Sequence, residues 1–208
     1  MFENLLDRVS QLPYLWSLLR RVVEADFKGE KALISTELKP LNPNDQRLFL
    51  DFGCGTGEFA NCFPAKRYVG IDLSRQYLSF AQQTQKGNFA AMNGIALAFK
   101  SESFDAALVV GVLHHLPDQI AQTALAEIHR VLKPGAIILL MEDIPPQNAW
   151  NVAGHLMHWL DRGGYIRTNA DYRALLGPHF TLLREYTMQS GICDYGVYLL
   201  SCLKPNFQ

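Results

Sequence analysis

Gly53, Gly55 and Gly57 stand at alternating positions directly after Leu48-Phe49-Leu50-Asp51-Phe52. An apolar strand that ends in such a run turns sharply and lets its main chain come close to a ligand. In a strand-to-helix setting that ligand is usually a nucleotide-like cofactor. Glu58 occupies the third position of the dinucleotide pattern Gly-x-Gly-x-x-Gly. A carboxylate at a helix start repels a pyrophosphate, so the loop favours a cofactor without phosphates.

Three further clusters carry chemistry of the same kind. Asp72, 21 positions after Asp51, ends the run Tyr68–Asp72. A carboxylate there offers two acceptor oxygens to two ribose hydroxyls, or else caps the next helix, a task Ser74 also suits. Asn93-Gly94-Ile95 combines an amide acceptor, an open backbone N–H and an apolar cover for a purine; Asn-Gly is also an ordinary turn. Gly111-Val112-Leu113-His114-His115 follows the strong apolar run Phe104–Val110. Gly111 permits close backbone approach. His114 and His115 titrate near neutrality, which suits a general base, although either also serves to pack or cap the next helix.

The elements that must position these residues alternate. Strands are expected at Arg47–Phe52, Tyr68–Asp72, Asn88–Met92, Phe104–Val110 and Ala136–Glu142. Helices are expected to open at Gly57–Cys62 and to span Ser74–Gln85 and Asp118–Leu132. Strands apolar on both faces suit a buried parallel sheet, and alternation with helices implies right-handed crossovers. Residues 1–40 read as helices broken at Pro13, where Gln11 or Leu12 ends the first, and again at Lys28-Gly29-Glu30, with a shorter helix at Ala32–Leu38. After Ala149–Asp161 and Asp171–Leu176, both helical, Phe180–Gln189 and Gly196–Leu203 read as an antiparallel pair at one sheet edge. The expected fold is α/β: a three-layer, Rossmann-like, doubly wound sheet of seven mostly parallel strands, with an antiparallel C-terminal edge strand and N-terminal helices. One domain, 1–208, divides into a helical cap (1–46), a cofactor-binding core (47–143), a helical acceptor-side insert (144–179) and a C-terminal strand pair (180–208).

Composition narrows the functional classes. Of 208 residues, 49% are hydrophobic and 19% charged, and the net charge is −1, so no global field attracts nucleic acid or anionic lipid. No apolar stretch reaches membrane-spanning length, and the start of the chain carries acids where a secretion signal carries bases, so a cytoplasmic protein is expected. The four cysteines form no Cys-x-x-Cys pair, and no metal site is expected. His155 and His158 lie three apart without an evident third ligand, and packing or solvation is the better reading.

At these motifs the chain resembles the class I S-adenosylmethionine-dependent methyltransferases. The resemblance runs through Asp51–Gly57, Val69–Ser74, Ser103-Phe104-Asp105, Val112–Leu116 and Arg130–Gly135, in family order, and covers about residues 47–143. It is greatest to the small-molecule and lipid methyltransferases. It implies that Gly53, Cys54, Gly55 and Gly57 line the methionine part of S-adenosylmethionine, with Asp51 supporting the loop near the amino group. Asp72 would hold the ribose, Leu73 would lie beside the adenine, Asn93, Gly94 and Ile95 would read or cover it, and Gly111 would offer its carbonyl to the ammonium. Asn93 stands where the family often has Asp, and Ala136 where many members have a second glycine.

The expected activity is methyl transfer to a small organic or lipid-like acceptor, without nucleic acid or stable membrane insertion. The alternative is a non-catalytic S-adenosylmethionine-binding regulatory or interaction protein. A nicotinamide oxidoreductase is disfavoured by Glu58, and an RNA or protein methyltransferase by the near-neutral charge. His114 and His115 are the candidate bases, followed by Glu142 and Asp143. The apolar helix Ala149–Asp161 suits core packing or a lid over an apolar acceptor. Arg167 suits an acceptor anion or a brace to Asp161 or Asp171, and the N-terminal helices with Arg20 and Arg21 suit a cover for the site.

Overall fold

The computed structural model describes residues 12–41, 46–160 and 164–202; the helix expected before Pro13 lies outside them. Seven strands form one sheet: β1 (Phe49–Phe52), β2 (Tyr68–Asp72), β3 (Asn88–Ala91), β4 (Phe104–Val110), β5 (Leu132–Asp143), β6 (Thr181–Ser190) and β7 (Cys193–Ser201). Their order is β3-β2-β1-β4-β5-β7-β6. β1 pairs in parallel with both β2 and β4, and β7 runs antiparallel to both β5 and β6. The doubly wound fold is thus the expected one, with one refinement. The last strand lies inside the sheet, inserted between β5 and β6, and the edge belongs to β6.

All four residues of β1 are buried, as are six of the seven in β4. Apolar side chains on both faces serve two packed layers. One layer contains Leu50, Phe52, Val109 and Leu140 beneath the helix Asp118–Val131. That helix turns Ala121, Ala124, Leu125, Ile128 and Val131 inward, a spacing of three and four residues that forms a single buried stripe. The opposite layer holds Phe49, Leu108, Leu139 and Val197 against Phe27, Ile34 and Phe63.

Four helices position the site: α1 (Pro13–Val23), α2 (Lys28–Leu33, continued as a π-turn over Ile34–Leu38), α3 (Arg75–Thr84) and α4 (Asp118–Val131). α5 (Val152–Leu160) and α6 (Asn169–Leu176) follow β5. Ser74 caps α3, its hydroxyl accepting from the Tyr77 N–H at 3.2 Å, which leaves Asp72 free of that task.

Two local expectations fail. No α-helix follows the glycine loop; Ala60–Cys62 forms a single 3-10 turn and Phe63 is extended. Pro64 lacks the N–H a helix needs and its ring would clash with the carbonyl four residues back. The expected break at Lys28-Gly29-Glu30 lies inside α2, and the chain breaks instead at Ala25, Asp26 and Phe27, all with positive φ. α2 packs closely on β6 here: a Cβ on Gly29 would come within 2.8 Å of the Met188 sulfur.

Candidate functional site

The strand order reverses about β1, so the C-terminal ends of β1 and β4 open the crevice where ligands bind in such sheets. A cavity of about 380 Å³ lies there. Gly53, Gly55, Asp72 and Tyr77 line it, as do Ile144, Ile166, Ile192 and Tyr195. Gly111, His114, His115 and Asp143 also line it, and α1 contributes Trp16, Leu19, Arg20 and Val23. Its wall is mainly apolar. A smaller chamber of about 30 Å³ is lined by Arg20, Asp51, Cys54, Gly55 and Glu58, among others.

The glycine loop is fastened by Gly53 N–H and Cys54 N–H, both donating to the Ile71 carbonyl at 2.8 and 2.9 Å. Gly53 has φ +75°, and a Cβ there would lie 2.5 Å from a Val112 methyl, so the loops after β1 and β4 touch through a glycine that nothing larger replaces. Asp72 ties the loop to α3: one oxygen accepts from Gly55 N–H at 2.9 Å and the other from Ser74 N–H at 2.7 Å. Burial raises its pKa above the ordinary carboxylate value. Asp51 is 2% exposed and accepts from the Tyr68 hydroxyl at 2.6 Å. Burial pushes its carboxyl up to about 7.

The structure separates the remaining expected cofactor residues. Cys54 faces the small chamber, and its burial holds the thiol protonated. Gly57 packs against Gln85, Phe89 and Ala81, away from both cavities. Leu73 is 75% exposed. Asn93 is exposed, its oxygen accepting from the Ile95 N–H at 3.2 Å; Gly94 lies against the Phe52 ring, and Ile95 is half-buried. None of these four is among the residues that line the cavity.

Glu142 is fully buried and gathers the loop after β4. Oε1 accepts from the N–H groups of Val112 and Leu113 at 2.9 and 2.8 Å; Oε2 accepts from His114 N–H at 3.2 Å and faces His114 Nδ1 at 2.9 Å. It is a positioning group, with no free face toward an acceptor. Arg167 binds the other side of the same loop. Its guanidinium donates to the carbonyls of Leu113, Leu116 and Tyr165 and to Asp118. The expected brace thus exists, but to Asp118 and main chain instead of Asp161 or Asp171. His114 is 4% exposed, His115 is exposed, and their rings lie 4.0 Å apart. His155 is exposed and the His158 side chain lies outside the described residues; among those described, no three His, Cys, Asp or Glu groups assemble a metal site.

Several lining residues escape sequence reasoning. Tyr77 sits on the first turn of α3, a position that the Ser74 cap signals. Tyr195 reaches the site because β7 pairs it with Asp143, a register that no local pattern reveals. Its hydroxyl donates to Glu24 Oε2 at 2.6 Å, and Glu24 accepts from Arg20 at 2.7 and 3.2 Å. α1 does cover the site as expected, through Arg20; Arg21 is exposed and pairs with Asp26 at 2.7 Å. No described helix is long and apolar enough to cross a membrane.

The groups present suit an adenosyl sulfonium amino acid. Asp72 offers paired oxygens, open space stands above Gly55, and a guanidinium and carboxyl groups share the small chamber. A cavity of this size falls within the range that encloses such ligands.

Comparison with known proteins agrees. Residues 50–140 match the methyltransferase domain family. A demethylmenaquinone methyltransferase of Lactococcus lactis is 33% identical over 108 residues, 47% of this chain and 42% of the relative. A tRNA (carboxymethyluridine(34)-5-O)-methyltransferase of Arabidopsis thaliana is 31% identical over 144 residues, 65% of this chain and 35% of the relative. The chain therefore spans well under two thirds of these two relatives' length. An uncharacterized methyltransferase of Synechocystis is 29% identical over 190 residues, 87% of this chain and 89% of that one. Among solved structures, magnesium protoporphyrin IX methyltransferase from Synechocystis, with bound S-adenosylhomocysteine, superposes with a TM-score of 0.66 at 17% identity, covering 88% of this chain and 86% of that one.

Proposed function

The chain belongs to the class I S-adenosylmethionine-dependent methyltransferases, and we propose that it methylates a small organic or lipid-like acceptor, with His114 as the base. One observation carries the reading. A single cavity takes in the loop after β1 and the apolar side chains of Ile144, Ile166 and Ile192, and His114, held by the buried Glu142, stands on its wall. An apolar lining of this kind suits a ring or short chain better than a polyanionic backbone, and the net charge of −1 supports the same choice.

S-adenosylmethionine, when bound, supplies a methyl group already activated on a sulfonium. The chain's own residues do the rest. Asp72 and the main chain of Gly53 and Gly55 fix the donor end. α1 and the segment Ile192–Tyr195 exclude water from the acceptor end, and alignment of the two reactants lowers the barrier by several kcal/mol. Glu142 takes the Nδ1–H of His114, which leaves Nε2 to accept a proton from an acceptor hydroxyl or acidic carbon. His115, exposed with its ring 4.0 Å from that of His114, is the weaker of the two candidates.

The test is transfer of a labelled methyl group from S-adenosylmethionine to phenols, quinols and unfractionated RNA in parallel, read by mass spectrometry. Label in the small acceptors and none in RNA is the expected result. Label in RNA alone would overturn the acceptor class. In the same preparation S-adenosylhomocysteine should raise the melting temperature and NAD should not.

A further inference from the structure

The Ser190 hydroxyl stands between two acceptors. Its Oγ lies 3.0 Å from the Glu24 carbonyl oxygen and 2.9 Å from Glu30 Oε2, and all three residues are buried. A serine hydroxyl carries one proton and donates to one acceptor at a time, and an ionised carboxylate carries none. Both contacts are hydrogen bonds together only when Glu30 supplies the second proton. Its carboxyl O–H then donates to Ser190 Oγ, and Ser190 donates to the Glu24 carbonyl.

The surroundings favour that neutral acid. Glu30 Oε1 has no hydrogen-bond partner among the described residues, and a bare buried carboxylate oxygen is costly. The end of α1 brings Arg20 and Glu24 toward Glu30, β6 brings Ser190 and β7 brings Tyr195. Arg20 is spent on Glu24, at 2.7 and 3.2 Å, and the Tyr195 hydroxyl donates to Glu24 at 2.6 Å. Lys31, the next residue in sequence, donates to the Asp26 carbonyl at 2.7 Å. Burial raises the Glu30 carboxyl from 4.5 to about 6.

What Ser190 holds is the C-terminal end of α1. Glu24 directly follows that helix, and Ala25, Asp26 and Phe27 beyond it all have positive φ, a run that non-glycine residues keep only where outside contacts fix it. The turn between β6 and β7 supplies two such contacts: Ser190 to the Glu24 carbonyl, and Ile192 N–H to the Val23 carbonyl at 3.1 Å. Gly191 permits the approach, since a Cβ there would overlap the Val23 carbonyl oxygen. α1 in turn gives Trp16, Leu19, Arg20 and Val23 to the cavity wall.

We propose that Glu30 is a proton-operated tie for α1. Protonated, it completes the chain from its own carboxyl through Ser190 to the Glu24 carbonyl. Ionised, it takes the Ser190 proton for itself and releases one of the two contacts that hold the end of α1 to the β6–β7 turn. Low pH fastens this wall of the cavity, and rising pH loosens it.

The test is amide hydrogen exchange of α1 and of Ile192 at about pH 5 and about pH 8, corrected for the intrinsic pH dependence of exchange. In the wild-type chain these amides should exchange faster than those of β4, through local opening, and their protection should fall about three- to tenfold at the higher pH, the range of one hydrogen bond. Glu30→Gln, whose side-chain N–H donates to Ser190 at any pH, should keep the low-pH protection at both values. Ser190→Ala should show the reduced protection already at the lower pH, with less than about a twofold further change. A full step retained by Ser190→Ala would make the effect one of charge burial alone and overturn the tie. So would a wild-type chain without a step, or one in which α1 exchanges no faster than β4 and thus opens only with the whole fold.

Discussion

Glu142 and His114 meet at 2.9 Å, and the same carboxylate holds three consecutive backbone N–H groups of the loop that carries the histidine. Orientation of the imidazole and folding of its loop are therefore one interaction. Glu142→Gln turns an acceptor into a donor facing N–H groups in a fully buried place. The expected cost is about 2–4 kcal/mol, seen as a fall of roughly 5–15 °C in melting temperature. A melting curve that matches the wild type would refute the clamp.

His114→Ala separates the chemical role from the structural one. With an acceptor that must lose a proton, kcat is expected to fall by about 100-fold or more, while affinity for S-adenosylhomocysteine stays within about threefold. His115→Ala should leave kcat nearly unchanged. The base assignment moves to His115 if the two variants give the reverse pattern.

Asp72 already holds the glycine loop through Gly55 and the start of α3 through Ser74. Asp72→Ala should weaken S-adenosylhomocysteine binding by roughly 10- to 100-fold in calorimetry, through loss of the ribose acceptor and a looser loop. An unchanged dissociation constant would remove Asp72 from the binding site.

Asp51 gives a proton-linkage prediction. Its carboxyl, pushed up to about 7 by burial, is about half protonated in the ligand-free chain at pH 7. Arrival of an ammonium group nearby lowers that pKa and expels the proton. Binding of S-adenosylhomocysteine at pH 7 should release about half a proton, measured by calorimetry in buffers of different ionisation enthalpy. Heat independent of the buffer would argue against it.

Glu30, on α2, is fully buried, with Oε2 in a hydrogen bond with Ser190 and Oε1 having no hydrogen-bond partner among the described residues. Burial raises its carboxyl from 4.5 to about 6. The folded chain thus holds the proton more tightly than the unfolded chain. The stability this confers is complete below about pH 4.5 and is lost as pH rises through 6. Glu30→Gln should therefore stabilise the protein by up to about 2 kcal/mol at pH 8 relative to its effect at pH 4, in urea titrations at both values. An equal effect at both pH values contradicts the buried-acid account.

What the sequence makes legible is what burial and backbone sterics write locally. β1 and β4 are readable because both of their faces are apolar, and Gly53 because its positive φ admits little else. The helix expected after Gly57 misleads: the chain forms only the 3-10 turn Ala60–Cys62 before Phe63 becomes extended ahead of Pro64. Arg167 pairs with Asp118, 49 positions away, and Tyr195 with Glu24, 171 positions away. Such partners are set by sheet order, and no spacing within a helix or loop encodes them. The cavity is accordingly legible where one glycine loop defines it, and obscure where its wall is assembled from distant stretches.

The placement of β7 has a consequence for the order in which the molecule is made. β6 precedes β7 in the chain but joins the sheet only through it. During synthesis β6 therefore waits without a strand partner until β7 emerges, and it joins β5 only through β7. Until then, Glu24 lacks Tyr195 and the segment Ile192–Tyr195 is missing from the cavity. A nascent chain halted before Cys193 already contains the glycine loop, Asp72 and the Glu142–His114 clamp, and lacks only the stretch of β7 that completes the cavity wall.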